Sequence, residues 1–205
     1  FEYNIANITA PGKHDMKVDF YLDIAKHDMM GYVKDDLNLN ILLKKYDNKG
    51  YTAVFVNIDE TSTGQLYDIK IISDYCKRND TYLVVDAISS FLIDHYDMDT
   101  YDVDATIISS QKGMCIAPGL SVVVLSDRIV RERVKKIDIK NLYFNFNEYM
   151  KDFERGQTPF TPCVGICMEM NRALNLIEEM GLENLLMSID KVATDFRKRV
   201  KELPV

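Results

Sequence analysis

Short apolar runs and amphipathic stretches alternate along most of this chain, and their order predicts the fold. Four runs rich in β-branched and aromatic residues have the length of buried strands: 52–57, 81–86, 103–108 and 121–126. Apolar positions at helical spacing predict helices at 35–46, 67–77, 127–136, 164–180 and 182–203. This alternation predicts an α/β protein with a mainly parallel sheet flanked by helices.

The first two strands and the helix between them form a βαβ unit, which requires a parallel pair of strands. The loops after both strands then meet at the carboxyl edge of the sheet. We therefore expect Thr61, in the polar loop 59–64, to lie near Asp86, at the end of the second strand. Further along, Asp127 follows Ser126 and is the candidate N-cap of the next helix.

Other stretches are less regular. Residues 1–34 form a poorly defined N-terminal segment, with a turn at 9–13 and a candidate helix at 18–30. The stretch 140–161 is irregular and aromatic, which is more typical of core or subunit-interface packing than of a cofactor site. In the last helix, one apolar face is predicted to be buried, comprising Leu182, Leu185, Leu186, Ile189, Ala193, Phe196 and Val200.

Composition narrows the class of protein. With 205 residues, 47% of them hydrophobic, the chain can bury a core, and its net charge of −7, with both signs interspersed, argues against nucleic-acid binding. The four cysteines lack the spacing of a zinc site, so we predict free thiols, with Cys163 and Cys167 packed in the core, and no metal. No signal peptide or long apolar span is visible, which predicts a cytoplasmic protein with no membrane partner.

Two charges of opposite sign, Asp86 and Lys112, follow two of the predicted strands. They admit two explanations. One is structural, a buried ion pair or two solvated loop residues. The other is a pyridoxal phosphate site, in which a desolvated lysine forms a Schiff base and a carboxylate keeps the pyridine nitrogen protonated.

Four motifs in order carry a resemblance to a known family: Glu60-Thr-Ser-Thr-Gly64, Val84-Val-Asp-Ala-Ile-Ser-Ser90, Ser109-Ser-Gln-Lys-Gly113 and Pro118-Gly-Leu120. They resemble the successive motifs of the class V, fold-type I pyridoxal phosphate aminotransferases. The most similar branch contains the alanine–glyoxylate, serine–pyruvate and aminoethylphosphonate–pyruvate enzymes. The match runs from about residue 35 to the end of the chain.

The resemblance implies a role for each matching residue. Lys112 is the Schiff-base lysine and proton shuttle, and Asp86 pairs with the pyridinium nitrogen. Ile88 packs on one face of the ring, Thr61 donates to the ring 3-oxygen and Gln111 reaches the cofactor phosphate. Thr161 resembles the residue that this branch lends across a homodimer interface to the partner's phosphate.

The implied reaction is transamination between a small amino acid and a 2-oxo acid acceptor. A cysteine desulfurase or lyase of the same family is an alternative, although desulfurases usually have a histidine where this chain has Gln111. Another alternative is a non-catalytic α/β dimerisation module that retains remnants of the site.

The resemblance also implies a domain organisation: an N-terminal segment at 1–34, a cofactor-binding α/β domain at 35–162 and a helical segment at 163–205 that leads toward a small C-terminal domain. The upstream phosphate loop and the arginine that binds the substrate carboxylate are not identifiable. We therefore expect the chain to be part of a longer enzyme that is inactive as this part alone.

Overall fold

A computed structural model describes residues 36–61 and 64–203. The predicted segment 1–34, with its turn at 9–13 and its helix at 18–30, lies outside these residues. The described elements are, in chain order, α1 (Asp36–Lys44), β1 (Ala53–Asn57), β2 (Asp59–Glu60), β3 (Gln65–Leu66), α2 (Ile69–Asn79), β4 (Tyr82–Asp86), β5 (Ala105–Ser109), β6 (Ser121–Leu125), α3 (Asp127–Glu132), a 3-10 turn (Val134–Lys136), α4 (Phe146–Phe153), α5 (Val164–Met180) and α6 (Leu182–Val200).

The main sheet has the strand order β1-β4-β5-β6. β1, β4 and β5 are parallel, and Asp86 at the end of β4 pairs with Asn57 of β1 and Ile107 of β5. β6 is antiparallel to β5, because only the loop 110–120 joins them and a parallel return needs a longer crossover. The predicted α/β class and the mainly parallel sheet are confirmed.

The core lies between α2 and one face of the sheet. Leu83 and Val85 of β4 are completely buried, and Ile72 and Tyr75 of α2 belong to the same apolar cluster. α2 is capped by Asp68, the residue before it, whose side chain accepts a hydrogen bond from the Lys70 amide. Because side chains alternate along a strand, Asp86 lies on the opposite face from Val85.

A network of hydrogen bonds and an ion pair around Asp104 stabilises the amino edge of the sheet. The buried carboxylate of Asp104 accepts hydrogen bonds from the Leu83 amide at 2.9 Å and the Ser126 hydroxyl at 3.2 Å, and it pairs with Arg128 at 3.4 Å. The Arg128 guanidinium also lies over the Tyr82 ring, 4.6 Å from its centroid. This network joins β4, β5 and α3 at the end of the sheet away from Asp86.

Several local predictions were wrong. Ser126, and not Asp127, is the N-cap of α3, since its hydroxyl accepts from the Ile129 amide. The polar loop 59–64 begins a small hairpin, β2 with β3. The aromatic stretch 140–161, predicted to be irregular, contains α4. The side chain of Asn145, the residue before α4, caps this helix.

The predicted burial of the last helix was also wrong. Only Leu186 of the seven apolar positions is buried in α6, and Phe196 is 66% exposed. Cys163 and Cys167 are exposed as well, whereas Cys76 is the buried thiol and burial raises its pKa to about 12.

Across residues 36–61 and 64–203, no helix has both the length and the apolar character needed to cross a membrane.

Replacing Asp104 by asparagine tests the amino-edge network. We expect Asp104→Asn to lower the free energy of unfolding by about 2 to 3 kcal/mol, because Arg128 loses its buried partner and the amide replaces a charged acceptor. The matched control is Asp80→Asn, which removes a second acidic partner of Arg128, one that is 96% exposed. It should change the free energy of unfolding by less than about 0.5 kcal/mol. Equal effects of the two variants in urea denaturation would contradict the assigned role of Asp104.

Candidate active site

The loops that follow β1, β4 and β5 meet at the carboxyl edge of the sheet. The Ile58 amide donates to the Asp86 carbonyl at 3.2 Å, and the Ala87 amide donates to the Ile107 carbonyl at 3.0 Å. The backbone on either side of Asp86 is therefore held by both neighbouring strands, so the direction of the Asp86 side chain is set by the ladder.

The Asp86 carboxylate is half-buried and only partly used. Its Oδ1 accepts a hydrogen bond from the Ile88 amide at 2.9 Å, which makes a tight turn out of the strand. Among the residues that the structure describes, none donates to Oδ2. Ile88 is itself half-buried in the turn. Within residues 36–61 and 64–203, one carboxylate oxygen of Asp86 thus has no hydrogen-bond partner on this face of the sheet.

Lys112 lies in the turn after β5, and its side chain is exposed. Its amine makes no ion pair with any described residue, so the buried ion pair with Asp86, one of the two structural explanations, is not formed. The free lysine is instead one of the solvated loop residues that the structural alternative included. The exposed Lys112 amine is therefore not desolvated, as the cofactor hypothesis assumed it to be.

Gly113 explains how the lysine-bearing turn reaches the Asp86 turn. A Cβ at this position would lie 1.9 Å from the carbonyl oxygen of Phe91 and 3.2 Å from the Leu92 Cβ. The two turns therefore pack backbone against backbone, one residue after Lys112 and five residues after Asp86. Only glycine allows this approach.

Thr61 lies in the turn of the hairpin after β1, and its hydroxyl is 3.0 Å from the Ser89 hydroxyl. This bond brings Thr61 to the turn that follows Asp86, in agreement with the predicted proximity. Gln111 is exposed, and its side-chain oxygen accepts from the Ser110 hydroxyl at 3.4 Å.

Thr161 is exposed in the segment before α5, and no hydrogen bond or ion pair between described residues joins it to Thr61, Asp86 or Lys112. The start of α5 nevertheless packs near the loop 110–120, because a Cβ on Gly119 would lie 2.6 Å from Ile166. The Ala117 amide also donates to the Glu169 carboxylate at 3.0 Å.

Sequence reasoning gave no role to three residues that the structure places at this edge: Ser89, Gly113 and Ser109. The Ser109 hydroxyl is buried at the end of β5 and has no hydrogen-bond partner among the described residues. Register places Ser109 on the same face of the sheet as Ile107 and Asp86. The available signal was the presence of small polar residues directly after each strand.

The Asp94 carboxyl has a raised pKa. Its partial burial is the largest cause, and the negative charge of the nearby Asp59 adds to it, whereas the positive charge of Arg197 acts in the opposite direction.

Within residues 36–61 and 64–203, no group of three histidine, cysteine or acidic side chains could hold a metal ion.

Comparison with known proteins identifies the family. A family profile described as Aminotransferase class-V matches residues 19–205. An uncharacterised aminotransferase of Methanocaldococcus jannaschii is 34% identical over 80% of this chain and 42% of its own length. A serine–glyoxylate aminotransferase of Arabidopsis thaliana is 29% identical over 83% of this chain and 43% of its own. The chain belongs to the class V aminotransferase family.

A solved structure, an alanine–glyoxylate aminotransferase from Nostoc sp., has the same fold. It superposes with a TM-score of 0.72 at 23% identity, over 82% of this chain and 44% of that one. The chain therefore spans less than half the length of the relatives it matches.

Gly113→Ala tests the contact between the two turns. We expect it to lower the free energy of unfolding by about 1 to 3 kcal/mol, since the added Cβ collides with the Phe91 carbonyl and the turns must separate. Gly165→Ala is the control, because a Cβ there meets nothing within 4 Å. It should leave stability unchanged or raise it by up to about 1 kcal/mol. A neutral Gly113→Ala in thermal and urea unfolding would contradict the close approach.

The raised pKa of Asp94 predicts a pH-dependent stability. The folded state binds the Asp94 proton more tightly than the unfolded state, so stability is lost as pH rises through the folded-state pKa. Asp94→Asn should therefore raise Tm at pH 7, and the gain should vanish near pH 3, where the acid is protonated in both states.

Asp97→Asn gives the opposite sign as a control. The Thr100 amide donates to Asp97 and lowers its pKa, so this contribution is present above the unfolded-state pKa and lost as pH falls. This variant should lower Tm at pH 7 and match the parent near pH 2. The same sign for both variants in pH-dependent calorimetry would contradict these assignments.

Proposed function

We propose that this chain is the cofactor-bearing part of a pyridoxal phosphate-dependent aminotransferase, acting on a small amino acid with a 2-oxo acid as acceptor. The observation that carries the proposal is the position of Asp86 and Lys112. They follow neighbouring parallel strands at one edge of the sheet, and their turns touch through Gly113 and Phe91. Family membership supports the same class of reaction.

The residues present fit the cofactor in three respects. The Asp86 carboxylate has an oxygen that no described residue uses, and a protonated ring nitrogen is a suitable donor to it. The sheet face beside it is apolar and partly open, since Phe55 is 65% exposed and Val123 is 38% exposed. The buried Ser109 hydroxyl on this face also lacks a partner among the described residues.

Asp86 and Lys112 have different tasks in this proposal. Bound pyridoxal phosphate withdraws electrons from the substrate and so stabilises negative charge at its α-carbon. Asp86 keeps the ring nitrogen protonated by placing negative charge beside it. The Lys112 amine would be the residue that holds the cofactor as a Schiff base, and it would act as the proton shuttle that takes up the α-proton of the substrate. The flexible stem of an exposed lysine suits both positions.

The remaining predicted residues bind and orient the cofactor. Ile88 packs against the ring, Thr61 donates to the ring 3-oxygen and Gln111 donates to the phosphate. Thr161 serves the site of a second copy in a homodimer. The exposure of Thr161 is compatible with that assignment.

The proposal is tested on the full-length enzyme to which this part would belong, by adding pyridoxal phosphate, reducing with borohydride and locating the modified residue by peptide mass spectrometry. We expect the cofactor on Lys112. Lys112→Ala should lose this label and lower the transamination rate by at least about 10²-fold, the contribution of a general acid–base group. Lys70→Ala is the control, because Lys70 is an exposed lysine of α2 that pairs with Asp74.

Asp86→Asn separates the electrostatic role from covalent attachment. It should keep the label on Lys112 but lower the rate by about 10²-fold or more, because the amide cannot hold the ring nitrogen protonated. If Lys112→Ala transaminates as well as the parent, the proposed enzyme function is wrong. A full-length protein that takes up no cofactor would favour the non-catalytic α/β module.

A further inference from the structure

We propose that Ser89 is a positioning residue, which orients the Thr61 hydroxyl so that its single proton is directed at the 3-oxygen of the cofactor ring. This inference rests on the proposed function. It adds a residue, Ser89, that touches neither the substrate nor the cofactor in this account. Its action is exerted through the bond between the two hydroxyl groups, which are 3.0 Å apart and 28 residues apart in the chain.

The position of Thr61 is fixed by its own hairpin. The Gly64 amide donates to the Glu60 carbonyl at 2.7 Å, and the Asn57 side-chain amide donates to the Glu60 carboxylate at 2.9 Å. The Ile58 amide donates in turn to the Asp86 carbonyl. The backbone of this hairpin is therefore tied to the end of β4, and what remains to be set is the rotation of the Thr61 hydroxyl.

Ser89 is the more firmly held of the two hydroxyl residues. Its side chain is half-buried in the turn after β4, whereas Thr61 is exposed. Two hydrogen bonds fix the same turn: the Ile88 amide donates to the Asp86 carboxylate, and the Ser90 amide donates to the Ala87 carbonyl. A half-buried partner on a fixed turn can hold an exposed hydroxyl in one rotamer, which reduces the entropy lost when a ligand binds.

The direction of the hydrogen bond between Thr61 and Ser89 decides whether Thr61 can donate to the cofactor. A hydroxyl has one proton to donate, and either oxygen of this pair could be the donor. If Thr61 gives its proton to Ser89, it offers only lone pairs to the ring oxygen, which is itself an acceptor. If Ser89 donates to Thr61, the Thr61 proton is free for the ring oxygen. The second arrangement forms a chain of two hydrogen bonds, in which each polarises the next.

Removal of the Ser89 hydroxyl should therefore weaken the Thr61 bond without removing Thr61. Ser89→Ala leaves the Thr61 hydroxyl free to rotate, so cofactor affinity should fall about three- to ten-fold, the value of one ordinary hydrogen bond. The ring 3-oxygen should also protonate more readily, which moves the pH midpoint of the bound cofactor's absorbance upward. Ser89→Thr restores the hydroxyl and should behave like the parent.

A double-mutant cycle tests the inference. Thr61→Val, Ser89→Ala and the combination are compared by the Kd for pyridoxal phosphate and by the absorbance midpoint, with circular dichroism as a check of folding. We expect both single variants to show the shift, and the double variant to be no worse than Thr61→Val. Ser188→Ala is the matched control, because this exposed hydroxyl donates to the Leu185 carbonyl within α6. It should change neither quantity.

The outcomes separate this inference from the proposed function. If the parent binds the cofactor on Lys112 but Ser89→Ala keeps the parent's Kd and midpoint, Ser89 has no positioning role and the proposed function stands. If the effects of Thr61→Val and Ser89→Ala on Kd add up in the double variant, the inference about Ser89 is wrong, and the proposed function again stands. If the parent shows no cofactor absorbance at all, the proposed function fails, and the inference about Ser89 fails with it.

Discussion

The parallel pairing of β4 with β1 and β5 is the constraint on which the rest of this structure depends. Its register puts Asn57, Asp86 and Ile107 in one row across the sheet. Because parallel strands all end at the same edge, the turns that carry Thr61, Asp86 and Lys112 must come together there. A slip of β4 by one residue would turn Asp86 toward the core and expose Val85 in its place.

The two edges of the sheet have opposite polar chemistry. At the amino edge, the Asp104 carboxylate is buried and fully occupied by an amide, a hydroxyl and Arg128. At the carboxyl edge, no residue in the described part of the chain bonds to one of the two Asp86 oxygens or pairs with the Lys112 amine. Charges satisfied within the protein stabilise the fold, whereas charges left available suit a ligand. The proposed site therefore lies at the edge of the sheet where Asp86 and Lys112 are not fully used in bonds that stabilise the fold.

The sequence allowed the sheet and its edge to be predicted, but not their details. Continuous apolar runs identify buried strands, and the βαβ rule then fixes the direction of β1 and β4. The half-exposed faces of α5 and α6 could not be predicted, because helical spacing shows that a face is apolar and not that another element covers it.

The site was predictable to the same extent. Asp86, Lys112 and Thr61 were identifiable from strand ends and motif order, and their turns do meet. The exposure of Lys112 was not predictable, because solvent access depends on what packs over a turn. The links that join the turns, Gly113 on Phe91 and Thr61 on Ser89, depend on contacts between residues far apart in the chain, for which one sequence carries no direct signal.

We propose that one amine and one carboxylate act on opposite sides of the same heterocycle at this edge. A crystal structure of the full-length protein with pyridoxal phosphate would show this arrangement. We expect the Lys112 nitrogen bonded to the aldehyde carbon and an Asp86 oxygen about 2.7 to 2.9 Å from the ring nitrogen of the same molecule. A cofactor joined to a different lysine, or an Asp86 carboxylate turned away from the ring, would contradict it.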